Sequence, residues 1–205
     1  MEVSSHSLEL NRVDDTNFKI GIFTNLTPDH LDFHKTLENY RKAKEKLFHK
    51  TTQANIINVD DEGGRKIYES IKGLDTPCYT YGIEHEADFT AKNIKSDASG
   101  VAYTLVTPNH TEDIFIPVPG KFTVYNTLAV IAACEMLGID KEDYLKSLRN
   151  TGGVAGRFET VPNDKGISVI VDYAHTPDAL ENVLNTAREF VEGDLIAVFG
   201  CGGDR

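Results

Sequence analysis

At 205 residues with 40% hydrophobic content, the chain can bury one large core, or one domain together with part of another. A net charge of −11 argues against non-specific nucleic-acid binding, and no apolar run approaches the ~20 residues of a membrane span, so neither nucleic acid nor membrane is an expected partner. The three cysteines, Cys78, Cys134 and Cys201, are far apart, form no metal-ligand spacing and fit a reduced, cytoplasmic protein.

The chain opens on Met1-Glu2-Val3-Ser4-Ser5-His6, a short apolar–polar alternation that reads as a strand entered midway. The apolar run at 20–23 reads as a buried strand that delivers Thr24 and Asn25 at its C-terminal edge, where open α/β sheets place their ligands. Asp29, His30, Asp32 and His34 follow closely. Thr36 can then cap a helix on which Tyr40, Ala43, Leu47 and Phe48 keep helical spacing, with Lys44 among them. Residues 55–59 form a second buried strand ending in Asp60-Asp61, followed by a helix at 62–71 and a short strand at 78–81. From 89 to 117 the period changes to two, broken at Asp97-Ala98-Ser99-Gly100 and Pro108-Asn109-His110, which predicts an antiparallel hairpin or meander. Residues 124–137 predict an apolar, buried helix, and 141–148 a second one with Asp140 as its cap.

Thr151-Gly152-Gly153-Val154-Ala155-Gly156 is the best linker candidate. Beyond it βαβ order restarts with a strand at 168–171, a helix at 177–190 and a strand at 195–199, then a glycine-rich end at 200–205. No GxxxxGK[ST] loop occurs, so the usual phosphate cradle gives no support for nucleotide binding.

Several of these residues have a chemical and a plain structural reading. The Asp29-His30-Asp32-His34 cluster suits a magnesium–phosphate site, since such sites use few protein ligands and lean on carboxylates; histidine is an uncommon ligand for that ion. Lys42, Lys44 and Lys46 read together as a solvated helix face. Thr176 with Pro177 is a complete helix start, cap followed by first-turn proline, whereas Asp172 and His175 at a strand end suit ribose hydroxyls.

Taken together, Glu2-Val3-Ser4-Ser5-His6, Thr24-Asn25-Leu26 with Asp29-His30-Leu31-Asp32, Tyr40 with Ala43-Lys44, Asn126, Gly156-Arg157-Phe158-Glu159, Asp172 to Asp178 and Gly200 to Arg205 resemble the Mur ligases. These are ATP-dependent amide-forming enzymes of cytoplasmic peptidoglycan synthesis. The resemblance is strongest to the branch that adds the third amino acid to UDP-N-acetylmuramoyl-L-alanyl-D-glutamate. It implies an α/β fold: a mostly parallel P-loop-type central sheet without its P-loop, carrying an antiparallel β insertion, then the start of a Rossmann-like C-terminal domain. Residues 1–153 would be the later part of the central ATPase domain and 154–205 the beginning of the last domain. The chain is then expected to be a fragment, inactive alone, whose half-built sheet favours edge pairing or swapping between copies.

The resemblance also implies roles. Glu2 and His30 match magnesium ligands, and Lys44 matches a lysine whose carbamylation turns a cation into a carboxylate-like ligand. Ser4 and Arg12 match contacts to the UDP-N-acetylmuramoyl-dipeptide, Asn126 an adenine contact, Arg157 a phosphate contact and Asp172 a ribose contact with His175 alongside. Arg205 matches a contact to the carboxylate of the incoming diamino acid, meso-diaminopimelate or L-lysine, a role suited to its bidentate fork. ATP, magnesium and carbamylated Lys44 are the implied cofactors. Two departures are local: Thr123 stands where relatives often carry asparagine, and Leu10 where some carry a polar substrate contact. A folylpolyglutamate-synthase-like or other Mur-type ligase, and a non-catalytic α/β binding module, are the competing readings.

Overall fold

Strand β1 (Phe18–Phe23) pairs in parallel with β2 (Thr51–Asn58), β2 with β3 (Cys78–Gly82), and β3 with the start of β4 (Phe89–Asp97). The direction then reverses: β4, β5 (Gly100–Val106) and β6 (Thr111–Ile116) form an antiparallel meander, completing one six-stranded sheet in sequence order. This is the parallel core with an antiparallel addition that the change of hydrophobic period predicts. The structure, a computed structural model, describes residues 1–200, without the side chain of Asp178. Of the glycine-rich end expected at 200–205, residues 201–205, with Cys201 and Arg205, lie outside the described residues.

Strand β2 shows why the sheet is covered on both faces. Ile56 faces a core formed with Tyr81, Phe89, Leu105 and the apolar side of α5 (Lys121–Met136), where Val124, Leu128 and Ile131 are fully buried. Its neighbour Ile57 faces the other way, into a cluster with Phe23, Phe48 and the Ile67 and Ile71 of α4 (Glu62–Ile71). Successive residues of a strand point to opposite faces, so two adjacent buried aliphatics such as Ile56 and Ile57 mark a strand covered on both sides. Each such aliphatic side chain contributes about 1.5–3 kcal/mol relative to exposure. A smaller cluster of Leu8, Val13 and Phe18 seats the N-terminal segment.

Helix starts follow the sequence closely. Thr36 caps α3 (Leu37–Glu45) by accepting from the Asn39 N–H at 3.1 Å, and Asp61 caps α4 through the Gly64 N–H at 3.0 Å. Asp140 caps α6 (Lys141–Arg149), and Thr176 with Pro177 opens α7 (Pro177–Arg188).

Three expectations are corrected. Residues 1–6 do not form a strand: α1 (Ser5–Glu9) begins there, capped by Ser4, because Ser5 and Leu8 are buried at helical spacing. The βαβ order expected after the linker is not seen: β8 (Val169–Val171) forms where a strand is expected, but it pairs antiparallel with β7 (Glu159–Val161), a strand the sequence pattern does not signal. Residues 195–199 form no strand; Ile196, Val198 and Phe199 are 82%, 95% and 68% exposed. An apolar run becomes a strand only where a neighbour completes its backbone hydrogen bonds, and the described residues supply none there.

One buried acid ties the end of β2 to the rest of the sheet. The Asp60 carboxylate accepts from the backbone N–H groups of Ile83 at 2.6 Å, Glu84 at 3.0 Å and His85 at 2.8 Å, and from the Tyr125 hydroxyl at 2.8 Å. Burial alone would raise its pKa, but these donors outweigh burial and bring it from 3.8 down to about 2. A folded-state pKa below the unfolded one stabilises the fold above the unfolded pKa, and that contribution fades as pH falls through the folded value. Asp60→Asn is therefore expected to be less stable than wild type at neutral pH, the gap closing between pH 3.8 and about 2 in acid-unfolding curves. A gap constant over that range contradicts this account.

Candidate functional site

The C-terminal edge of the parallel strands is built from short polar turns. Asn58 at the end of β2 donates its amide to the Thr24 carbonyl at 2.7 Å, joining the ends of β1 and β2. Asp61 does the same one step further out: besides capping α4 it accepts from the Leu26 N–H at 2.9 Å. The loop after β1 is thus pinned at two points before it reaches Asp29 and His30.

His30 takes a left-handed backbone conformation, φ 55°, ahead of α2 (Leu31–His34). Such a conformation is uncommon outside glycine and clusters at functional sites. It sets the imidazole edge-on to the His6 ring, centroids 4.9 Å apart, and to the Tyr40 ring at 5.9 Å; Asp29 lies 3.5 Å from the imidazole. Lys44, in the last turn of α3, places its ammonium 5.2 Å from the centroid of that same Tyr40 ring. His30 and Lys44 therefore both lie near one buried tyrosine.

The three lysines of α3 and its 3-10 extension are not equivalent. Lys42 is exposed beside Glu38 at 3.7 Å, and Lys46 pairs with Glu9 at 2.7 Å. Lys44 is half-buried, and burial lowers its pKa against the opposing charges of Asp61 and Asp29. Only this lysine departs from the solvated helix face that its spacing allows.

Beside this cluster a cleft of about 1000 Å³ runs from Thr24 and Asn25 along α5 to the segment after the linker. Asn126, Arg157 and Asp172 all line it. The Arg157 guanidinium stacks 4.8 Å over the exposed Tyr173 ring, and the Asp172 carboxylate accepts from the Phe158 and Ala174 N–H groups, both at 2.7 Å. Those two bonds fix Asp172 and leave lone pairs for a hydroxyl.

The other candidates lie apart from the cleft. Ser4 is exposed, its hydroxyl holding the first turn of α1, and Arg12 is exposed just beyond that helix. His175 bonds the Tyr173 carbonyl at 2.9 Å and does not line the cleft. Glu2 is exposed ahead of α1, and among the described residues no hydrogen bond or ion pair joins it to His30 or Lys44. Sequence reasoning gave no role to His6, Asp60, Asp61 or Tyr125. The acidic pair directly after an apolar strand was the available signal for two of them.

Comparison with known proteins is unambiguous. Residues 1–134 match the Mur ligase middle domain and residues 156–205 the Mur ligase glutamate ligase domain. Over all 205 residues the chain is 75% identical to the UDP-N-acetylmuramoyl-L-alanyl-D-glutamate–2,6-diaminopimelate ligase of Clostridioides difficile, and 51% identical to the ligase of that name from Alkaliphilus oremlandii. It spans 42% of the length of each. A solved structure of a ligase with that name superposes on the whole chain with TM-score 0.81 at 35% identity, the chain covering 42% of it. A mutant of L. casei FPGS shares the fold alone, with TM-score 0.69 and 13% identity over 85% of this chain and 43% of that one.

Proposed function

The chain belongs to the Mur ligase family, and from that premise we propose that the full-length protein adds 2,6-diaminopimelate to UDP-N-acetylmuramoyl-L-alanyl-D-glutamate in an ATP-dependent reaction. The observation that carries this reading is the whole-chain identity with relatives that bear that activity in their names. On this reading residues 1–153 belong to the central ATPase domain and 154–205 begin the C-terminal one, and the reaction takes place in the cytoplasm. Among the described residues no helix is long and apolar enough to cross a membrane.

The chemistry is phosphoryl transfer followed by amide formation. The γ-phosphoryl of ATP passes to the D-glutamate side-chain carboxylate, giving an acyl phosphate and ADP. The amine of the diamino acid attacks the acyl carbon, loses a proton, and phosphate leaves. Two anions must meet in the first step, so positioning and charge neutralisation carry most of the catalysis. Arg157 would neutralise phosphate oxygens, Asp172 would hold a ribose hydroxyl with His175 nearby, and Asn126 would read the adenine edge. Ser4 and Arg12 would contact the UDP-N-acetylmuramoyl-dipeptide. Arg205, beyond the described residues, would take the carboxylate of the incoming amino acid.

Magnesium, which Glu2, His30 and Lys44 would hold, would supply positive charge to offset that of the phosphates. Among the described residues no three His, Cys, Asp or Glu side chains converge to hold a metal. An unmodified lysine offers a cation where a ligand is needed, so Lys44 could join Glu2 and His30 as a ligand only when carbamylated. Burial of Lys44 supports that step, since it favours the neutral amine, the form that attacks carbon dioxide and releases a proton on forming the carbamate.

Assay of the full-length protein separates the readings. With ATP and magnesium it is expected to join 2,6-diaminopimelate to the UDP-linked dipeptide and to leave folate unchanged. L-lysine is expected to be a poor replacement. Turnover of folate with glutamate, or no ATP-dependent ligation at all, contradicts the proposal.

A further inference from the structure

Helix α5 carries the longest wall of the cleft, yet its start is poorly anchored by local means. Its N-cap is Gly120, at φ 99°, which offers no side-chain cap, and no acidic residue lies in the first turn. What holds this end is mostly tertiary: the Gly120 N–H on the Ser96 hydroxyl at 3.0 Å, Lys121 paired with Glu84 at 2.6 Å, and the Tyr125 hydroxyl on Asp60 at 2.8 Å. The lysine pair is exposed at both ends and holds little. The tyrosine bond is of another kind, because its acceptor is a buried carboxylate, its side chain 6% exposed.

Asp60 is itself held from several sides. Three consecutive backbone N–H groups, of Ile83, Glu84 and His85, point into it, and the His85 ring lies 2.9 Å away. Gly82 closes the same turn so tightly that a Cβ there would stand 2.9 Å from the carboxylate. The turn after β3 thus forms a fixed socket for Asp60, and Asp60 a fixed socket for the Tyr125 hydroxyl. The tyrosine side chain lines the cleft immediately before Asn126.

We propose that Asp60 and Tyr125 form a positioning pair that sets the rotation and height of α5, so that Asn126 and the tyrosine ring present a preformed wall to the nucleotide. The pair touches no reacting atom and acts through α5. The inference rests on the reading of the cleft as the ATP site. Positioning of this kind is sensitive, since a shift of about 1 Å at a binding wall can cost on the order of a hundredfold in rate.

Three variants of the full-length protein test it: Tyr125→Phe, which keeps the ring and removes only the hydroxyl, Asp60→Asn, and the double variant. Tyr125→Phe is expected to raise KM for ATP by about fivefold while KM for the UDP-linked dipeptide stays within about twofold. Asp60→Asn is expected to raise KM for ATP at least as much, and the double variant no further than Asp60→Asn alone, since both remove one link. Equal rises in both KM values, effects that multiply in the double variant, or an unchanged KM for ATP in Tyr125→Phe overturn the proposal. Wild-type protein that forms no tripeptide overturns the ligase reading instead. Calorimetric titration of wild type and Tyr125→Phe with magnesium–ATP then decides the pair by itself: about fivefold weaker binding supports it, and equal affinity overturns it.

Discussion

Lys44→Ala in the full-length protein is expected to reduce ATP-dependent ligation by about a thousandfold, the scale seen when a preorganised charge-stabilising group is removed from a phosphoryl- or acyl-transfer site. Lys44 is half-buried against the Tyr40 ring in the last turn of α3. Among the described residues its truncation removes no ion pair, so the thermal midpoint is expected to change little. Lys44→Arg separates charge from carbamate: it keeps the cation, cannot be carbamylated at neutral pH, and is expected to be as inactive as the alanine variant. Lys42→Ala is the control, because Lys42 is exposed and paired only loosely with Glu38; it is expected to retain activity within about twofold. Activity retained in Lys44→Arg would reduce the residue to a point charge, and activity retained in Lys44→Ala would remove it from the chemistry.

The second large effect is on stability and runs against helix propensity. Gly64 lies in the first turn of α4, where alanine in place of glycine ordinarily stabilises a helix by about 1 kcal/mol. Here an added Cβ would stand 1.9 Å from the Asn58 backbone oxygen and 3.1 Å from the Phe23 ring. Backbone cannot step aside as a flexible side chain can. The strand end that would have to move is the one whose Asn58 amide holds the Thr24 carbonyl. Gly64→Ala is therefore expected to destabilise the protein by about 3 kcal/mol in denaturant unfolding, the upper end of overpacking costs. Gly63→Ala, which meets the Asp61 and Leu26 side chains at 3.0 Å, is expected to cost less. If Gly64→Ala matches or exceeds wild-type stability, the close packing of α4 on β2 is wrong.

What the sequence could disclose follows the range of the physics involved. The adjacent pair Ile56-Ile57 announces a strand buried on both faces, and Thr36, Asp61, Asp140 and Thr176 mark helix starts, because both signals are local. The start of the chain was misread because six residues cannot separate a period of two from one of 3.6 when Leu8, the residue that fixes the face, lies just beyond them. Strand β7 has no apolar alternation of its own and exists through its pairing with β8. The run at 195–199 has the composition of a strand but, among the described residues, no partner. His30 and Lys44 are candidates through family resemblance, and only the fold shows that both lie near the Tyr40 ring. Asp60 and Tyr125 are 65 residues apart in sequence, and no spacing rule could join them.

On the function proposed above, the half-buried amine of Lys44 becomes a carbamate. Carbon NMR of the full-length protein equilibrated with isotope-labelled bicarbonate tests this directly. A carbamate resonance present in wild type and lost in both Lys44→Ala and Lys44→Arg is the predicted result. Identical spectra for all three proteins would contradict it.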